Sequence, residues 1–395
     1  MKKILFVIDS LACAGAEKSL ITLLSLIDYS KYEVDLRLFS YGGELENLLP
    51  KDVKLLAPLD YMKFTTLSLK KAIQEGIFKL KLGYLLSRLK FSLVLRKGKY
   101  DNRAKARLFW EINKNCIEEI KKEYDIAIAY AQGVPTFYVA DRVRAKRKFA
   151  WVNVSYQLEG IEKEYQREKY KKFNKIVLVS DSVKDIFEEV YPEFREKFEV
   201  IYDINNPKIM EDMSKIGDKL PNKDEIKLLT IGRLANQKGY DIALEACKIL
   251  KDRDIKFKWY VLGKGPLKEE IEQKIDELGL KEHFILLGVT PNPYGYIKSA
   301  DIYVQTSRFE GFGLAIAEAR ILNVPVVTTE FDAVYNQMVQ RKNGIVTRMN
   351  AQSVAAGIME LIENKELKNS IIEYLKNEKK GNLEEYKKFE KLIEG

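Results

Sequence analysis

Two kinds of hydrophobic spacing alternate along the chain. Short, nearly unbroken apolar runs occupy residues 4–8, 126–130, 149–154, 175–179, 228–231, 257–262, 284–287, 302–305 and 324–328, while residues 32–39 alternate apolar with polar. Such short runs bounded by polar or turn residues predict strands buried on both faces of a parallel sheet. Between them, residues 17–27 put Leu20, Leu23, Leu24 and Ile27 at helical spacing, and further helices are predicted at about 239–252, at 267–278 and after Gly313. Alternating strands and helices predict an α/β protein with parallel sheets. The rhythm loosens at residues 203–225, where Asn205, Asn206, Pro207, Gly217, Pro221 and Asn222 predict an interdomain linker. The expected organisation is two Rossmann-like domains, residues 1–205 and 206–375, facing across a cleft, with ligands at the carboxyl ends of the strands. Residues 376–395 end in a Lys/Glu-rich helix at 383–395.

Composition excludes several chemistries. The 395 residues carry 67 Lys plus Arg against 58 Asp plus Glu, a formal charge of +9. The single histidine, His283, excludes a His-rich metal centre, and Cys13, Cys116 and Cys247 are too dispersed for a cysteine cluster or a disulfide framework. A reducing cytoplasm fits this cysteine usage. No apolar run reaches the length of a membrane span, and residues 4–8 are too short an apolar core for a signal peptide. The charge is concentrated. Residues 61–110 hold 13 basic side chains against Glu75 and Asp101, a net of +11, so the other 345 residues sum to −2. A basic block in a neutral protein points to one local anionic partner rather than to nucleic acid.

Four features lie where strands end. Gly232-Arg233-Leu234 and Asn236-Gln237-Lys238-Gly239 follow the run 228–231, and an Arg fork with a Lys five positions along suits a diphosphate. Gly263-Lys264-Gly265-Pro266 follows 257–262, but Lys268 stands at the third glycine position, so this is no dinucleotide fingerprint. Residues 307–319 place Glu310 in a loop, then Gly311-Phe312-Gly313-Leu314, then Glu318 about a turn and a half into a helix. The glycines would let a ligand approach the backbone, and both carboxylates could face one cleft. Ala14-Gly15-Ala16-Glu17 follows the first strand, and Gly15 would allow close approach to phosphate.

These residues, together with Val324-Pro325-Val326-Val327-Thr328 and Asn343-Gly344, resemble the family 4 retaining glycosyltransferases, which have the GT-B fold. The resemblance is dense over about 226–365. In the first half it rests on the first strand, the Ala-Gly-Ala-Glu turn and residues 175–182. Phe149-Ala150-Trp151-Val152-Asn153 is similar to members that build capsule and lipopolysaccharide. The resemblance implies a nucleoside-diphosphate sugar as donor, a glycan acceptor and no cofactor or metal. Arg233 and Lys238 would neutralise the diphosphate, and Glu318 would hold the ribose hydroxyls. Glu310 with the Gly311–Leu314 backbone would hold the donor sugar. Gly15, Gly232 and Gly263 would line the donor site, and Glu17 and Asn153 the acceptor cleft. The last helix would cross back to the first domain. Two positions depart from the family. Asn153 stands where many relatives have histidine, and Phe331-Asp332-Ala333 replaces a glycine-rich turn. His283 lies in the other half and is expected to be structural.

The basic block interleaves its cations with Leu, Ile and Phe and reads as one or two basic amphipathic helices, centred on residues 76–86. Lys79, Lys81, Arg88 and Lys90 are expected to face an anionic membrane and bring a lipid-linked acceptor to the cleft, on the inner face of the cell membrane. Two rival readings share the architecture: a sugar-nucleotide 2-epimerase, and a catalytically silent membrane-associated subunit of a glycan assembly complex.

Overall fold

The computed structural model describes residues 1–12, 15–78, 81–154, 158–221 and 224–395. One sheet comprises β1 (Lys2–Ile8), β2 (Tyr32–Leu38), β3 (Lys54–Leu55), β4 (Ile120–Ala129), β5 (Val143–Val152), β6 (Lys175–Leu178) and β7 (Phe198–Val200), in the order β3-β2-β1-β4-β5-β6-β7. The other comprises β8 (Ile226–Ile231), β9 (Phe257–Leu262), β10 (Phe284–Gly288), β11 (Ile302–Gln305), β12 (Val326–Thr329) and β13 (Gly344–Thr347), in the order β10-β9-β8-β11-β12-β13. Every strand pairing is parallel. The continuous apolar run of β1 follows from this, since residues 4–8 are buried on both faces. In each domain the chain steps outward over three strands and then returns to pair beside the first, β4 on β1 and β11 on β8. These reversals open a crevice at the carboxyl ends of the strands.

The strands missed by the hydrophobic pattern are β3, β7 and β13, each four residues or shorter. β4 and β5 begin well before their apolar runs, because their first halves are polar and partly exposed. The stretch read as a linker contains a helix, Pro207–Ile216, whose Met210 packs with Leu220 and Ile297 in the second domain. The last helix, Glu384–Glu394, sends Phe389 and Ile393 into the first domain's core, and Phe389 packs 6.2 Å from the Trp151 ring.

Between β3 and β4 the basic block forms helices Asp60–Thr65, Leu69–Phe78, Leu82–Arg96 and Asn102–Asn113. Residues 76–86, read as one or two basic amphipathic helices, fall on two, with Lys81 at the N-cap of the second. Phe64, Ala72 and Leu85 make a small core of their own. No described helix is long and apolar enough to cross a membrane.

Candidate functional site

The crevice holds a cavity of about 680 Å³ lined by both domains. Asp9, Ser10, Glu17 and Lys18 come from the first domain, and Gly232, Arg233, Gly263 and Lys264 from the second. Each follows a strand end or opens the next helix, as parallel topology requires. Arg233 is exposed to this cavity and makes no hydrogen bond or ion pair among the described residues. Asp9 directly follows β1. Its side chain is open to the cavity, yet the mass of both domains around it displaces bulk water and pushes its carboxyl up to about 7. Glu17 is also pushed up to about 7. Burial is the main cause, the charge of Asp9 adds to it, and its own backbone N–H and the charge of Arg233 oppose it.

Glu310 stands beside this cavity rather than in its lining. The loop after β11 buries it, and three donors converge on one carboxylate oxygen, Oε1: Lys238 Nζ in a short ion pair, Gln305 Nε2 at 3.1 Å and Ser307 Oγ at 2.7 Å. Lys238 is aimed there by the turn at Gly239, whose φ of +60° favours glycine and where a Cβ would sit 2.1 Å from the Thr306 carbonyl oxygen. Lys238 thus reaches Glu310, the carboxylate expected to hold the donor sugar, while Arg233 alone of the two expected diphosphate cations lines the cavity.

Glu318 is buried in the helix Leu314–Ile321, so it is no surface residue. Lys18 Nζ, from the first domain's helix Gly15–Leu26, donates to its Oε1 at 3.1 Å and its Oε2 at 3.2 Å. Tyr294 Oη donates to Oε1 at 3.4 Å, and burial beside Glu318 pushes the Tyr294 hydroxyl well up. The two carboxylates therefore serve separate partner sets, Lys238 and Lys18 respectively, rather than presenting together to one opening.

Several glycines have a role other than the one expected. A Cβ on Gly263 would lie 1.9 Å from the Gly232 carbonyl oxygen, so backbone packing between two strand-end loops requires this glycine, although it still borders the cavity. A Cβ on Gly311 would lie 2.0 Å from the carbonyl oxygen of Asn153, and Ser180 Oγ donates to the Gly311 carbonyl at 2.9 Å. Gly311 thus admits the other domain's backbone where a ligand approach was expected. Gly313, with φ +81°, caps the Glu318 helix, and Gln337 donates to the carbonyls of Phe312 and Gly313. Gly15 faces the second domain, its absent Cβ 3.4 Å from Leu314.

Asn153 Nδ2 donates to the Tyr130 carbonyl at 2.7 Å, and its Oδ1 is buried without a hydrogen-bond partner among the described residues. The Asp332 carbonyl of the altered turn accepts from Ser182 Oγ at 3.2 Å, so this turn meets the first domain. His283 packs on the Phe257 ring at 5.1 Å, away from the cavity. Among the described residues no three His, Cys, Asp or Glu side chains are grouped to hold a metal ion. The sequence reading missed Asp9, Lys18 and Tyr294. The first two were within reach of it, since Asp9 follows a predicted strand and Lys18 adjoins Glu17. Tyr294 carried no signal.

The expected membrane cations divide. Arg88 turns inward and donates to the carbonyls of Phe64 at 3.2 Å and Leu67 at 2.8 Å, fixing the small core, so it is not a headgroup ligand. Lys81 lies 5.4 Å from the centre of the Tyr84 ring, Lys90 is exposed, and Lys79 lies outside the described residues.

Residues 212–378 match the family model described as glycosyl transferases group 1. The chain is 30% identical over 138 residues to the poly(ribitol-phosphate) alpha-N-acetylglucosaminyltransferase of Staphylococcus aureus, a match covering 34% of this chain and 28% of that protein. It is 29% identical over 164 residues to the N-acetylgalactosamine-N,N'-diacetylbacillosaminyl-diphospho-undecaprenol 4-alpha-N-acetylgalactosaminyltransferase of Campylobacter jejuni, covering 40% and 44%. The chain thus spans less than half the length of these curated relatives. Its fold matches that of S. aureus TarM, solved with UDP, with a TM-score of 0.69 at 16% identity over the whole of both chains. Two facing parallel-sheet domains, a cavity at their strand ends and these matches lead to one conclusion: the protein is of the GT-B architecture and carries a glycosyl transferases group 1 domain.

Proposed function

We propose that the protein is a retaining glycosyltransferase that moves a hexosyl or N-acetylhexosaminyl group from a nucleoside-diphosphate sugar to a glycan acceptor in surface polysaccharide assembly. The observation that carries this reading is Arg233, without a hydrogen-bond or ion-pair partner among the described residues, at the cavity beside the Lys238–Glu310 pair, within the domain matched by the family model. Two neighbours of this chain act, by name, on a poly(ribitol-phosphate) and on a diphospho-undecaprenol glycan, which supports an acceptor carried on a polymer or a lipid.

In this mechanism Arg233 and Lys238 meet the charge of the leaving diphosphate, and no metal is required of the protein. Glu318 takes the ribose hydroxyls, and Glu310 holds the donor sugar. The bond from the anomeric carbon to the diphosphate oxygen breaks as the acceptor oxygen attacks from the same face. The acceptor's proton passes to a phosphate oxygen of the leaving group, giving the glycosylated acceptor and a nucleoside diphosphate. The protein supplies position and fixed charge. A lipid-linked acceptor would place the enzyme peripherally on the cytoplasmic face of the membrane.

Thermal-shift measurements against a panel of nucleotides and nucleotide sugars test the reading, since a donor at about 100 times its Kd stabilises by about 2.7 kcal/mol. Slow release of nucleoside diphosphate, lost in Glu310→Gln, is the expected result. Absence of any nucleotide binding would instead favour the silent subunit.

A further inference from the structure

The helix Leu82–Arg96 exposes Leu82, Leu86, Leu89 and Leu93, with Leu86 65% and Leu93 55% accessible. Their spacing of four, three and four residues puts all four on one face. Leu69 and Ile73, one turn apart on the preceding helix, are exposed as well. The opposite face of Leu82–Arg96 is occupied. Leu85 packs with Phe64 and Ala72, Phe91 meets Phe109 edge-on at 5.4 Å, and Ser87 donates to the Ile112 carbonyl at 3.0 Å. The leucine face is therefore surplus to the core, and an apolar stripe of this kind marks an interaction surface.

Charge selects the occupant. Across residues 61–100 the only acidic side chain is Glu75, against ten Lys and Arg. Lys90 and Arg96 are exposed beside the leucines, Lys70 and Lys71 beside Leu69, and Lys97 and Lys99 follow the helix end. A second copy of this chain meeting the same face would set these cations against each other. An anionic lipid surface offers headgroup charge for the cations and acyl chains for the leucines at once.

Position gives the surface a purpose. The contacts of Phe91 with Phe109 and of Ser87 with Ile112 set helix Leu82–Arg96 antiparallel to Asn102–Asn113. The early part of the latter lies against Gly133, just past the carboxyl end of β4, where a Cβ on Gly133 would be 3.4 Å from Ala106. The basic end of Leu82–Arg96 thus points toward the crevice side of the first domain.

We infer that helix Leu82–Arg96 lies in the interface of an anionic bilayer, with Leu82, Leu86, Leu89 and Leu93 inserted and its basic end turned toward the crevice rim. This deepens the proposed membrane-borne acceptor, but its test needs neither donor nor acceptor, so the two readings fail separately. The test is co-sedimentation of the full chain with vesicles of phosphatidylglycerol and phosphatidylcholine. The double variant Leu86→Gln/Leu93→Gln is expected to lose about tenfold or more in partitioning and to keep its nucleotide-induced thermal shift. Binding of the wild type should persist in part at about 1 M salt, where the Debye length is about 3 Å. Lys90→Glu/Lys97→Glu should bind more weakly at low salt. Equal vesicle binding by the leucine variant and the wild type overturns the inference. So does loss of a wild-type dimer in the leucine variant by light scattering, which would assign the face to self-association.

Discussion

Lys18 and Glu318 are 300 residues apart in the chain and form an ion pair across the crevice, one Nζ bonded to both carboxylate oxygens at 3.1 and 3.2 Å. It joins the first helix of one domain to the strand-end helix of the other, at the carboxylate assigned to the ribose.

A nucleotide that takes Glu318 must therefore displace Lys18. Glu318→Gln is expected to weaken nucleoside-diphosphate affinity by about tenfold or more, whereas Lys18→Gln should bind at least as tightly as the wild type. Isothermal titration of both variants checks this, and equal losses would contradict the competition. Lys18→Met also leaves Glu318 buried with, among the described residues, only the long Tyr294 bond, so chemical denaturation should show a loss of about 3 kcal/mol.

Glu310 and Lys238 form an ion pair between the loops that follow β11 and β8. Glu310→Gln and Lys238→Ala should each reduce turnover by about 100-fold or more. Donor-hydrolysis rates would show it. A mild effect from either variant would move the donor sugar elsewhere.

The carboxyls of Asp9 and Glu17, ordinarily at 3.8 and 4.5, are both raised to about 7. A folded-state pKa above the unfolded one means the folded protein holds its proton more tightly. The resulting stability is full below the ordinary values and is lost as pH rises toward about 7. Ionisation also places negative charge next to Arg233, so diphosphate affinity should fall as pH rises from about 6 to 8. Titrations over that range should show the fall, and Glu17→Gln should flatten it.

Gly263 and Gly311 are both closed to a Cβ, but by different walls. Gly263→Ala collides with backbone inside the second domain and should lower its stability by about 1 to 3 kcal/mol. Gly311→Ala collides with the Asn153 carbonyl of the first domain, so the clash can be relieved by opening the crevice. Small-angle scattering should then report a larger radius of gyration for Gly311→Ala than for Gly263→Ala.

The order of elements was legible in the sequence because strands buried on both faces must be apolar throughout, and the runs at residues 4–8 and 259–262 are such stretches. Arg233, Lys238, Glu310 and Glu318 could be singled out because parallel topology delivers strand-end residues to one crevice. Partnership was not legible. Lys18 meets Glu318, and Gly311 meets Asn153, only because two separately folded sheets face each other, and no local spacing encodes contacts 300 or 158 residues apart. The basic block shows the same division. Its composition determined that some face would be cationic and apolar, while the tertiary packing of Leu85, Phe91 and Arg88 decided which leucines turn inward and which remain for a surface outside the fold.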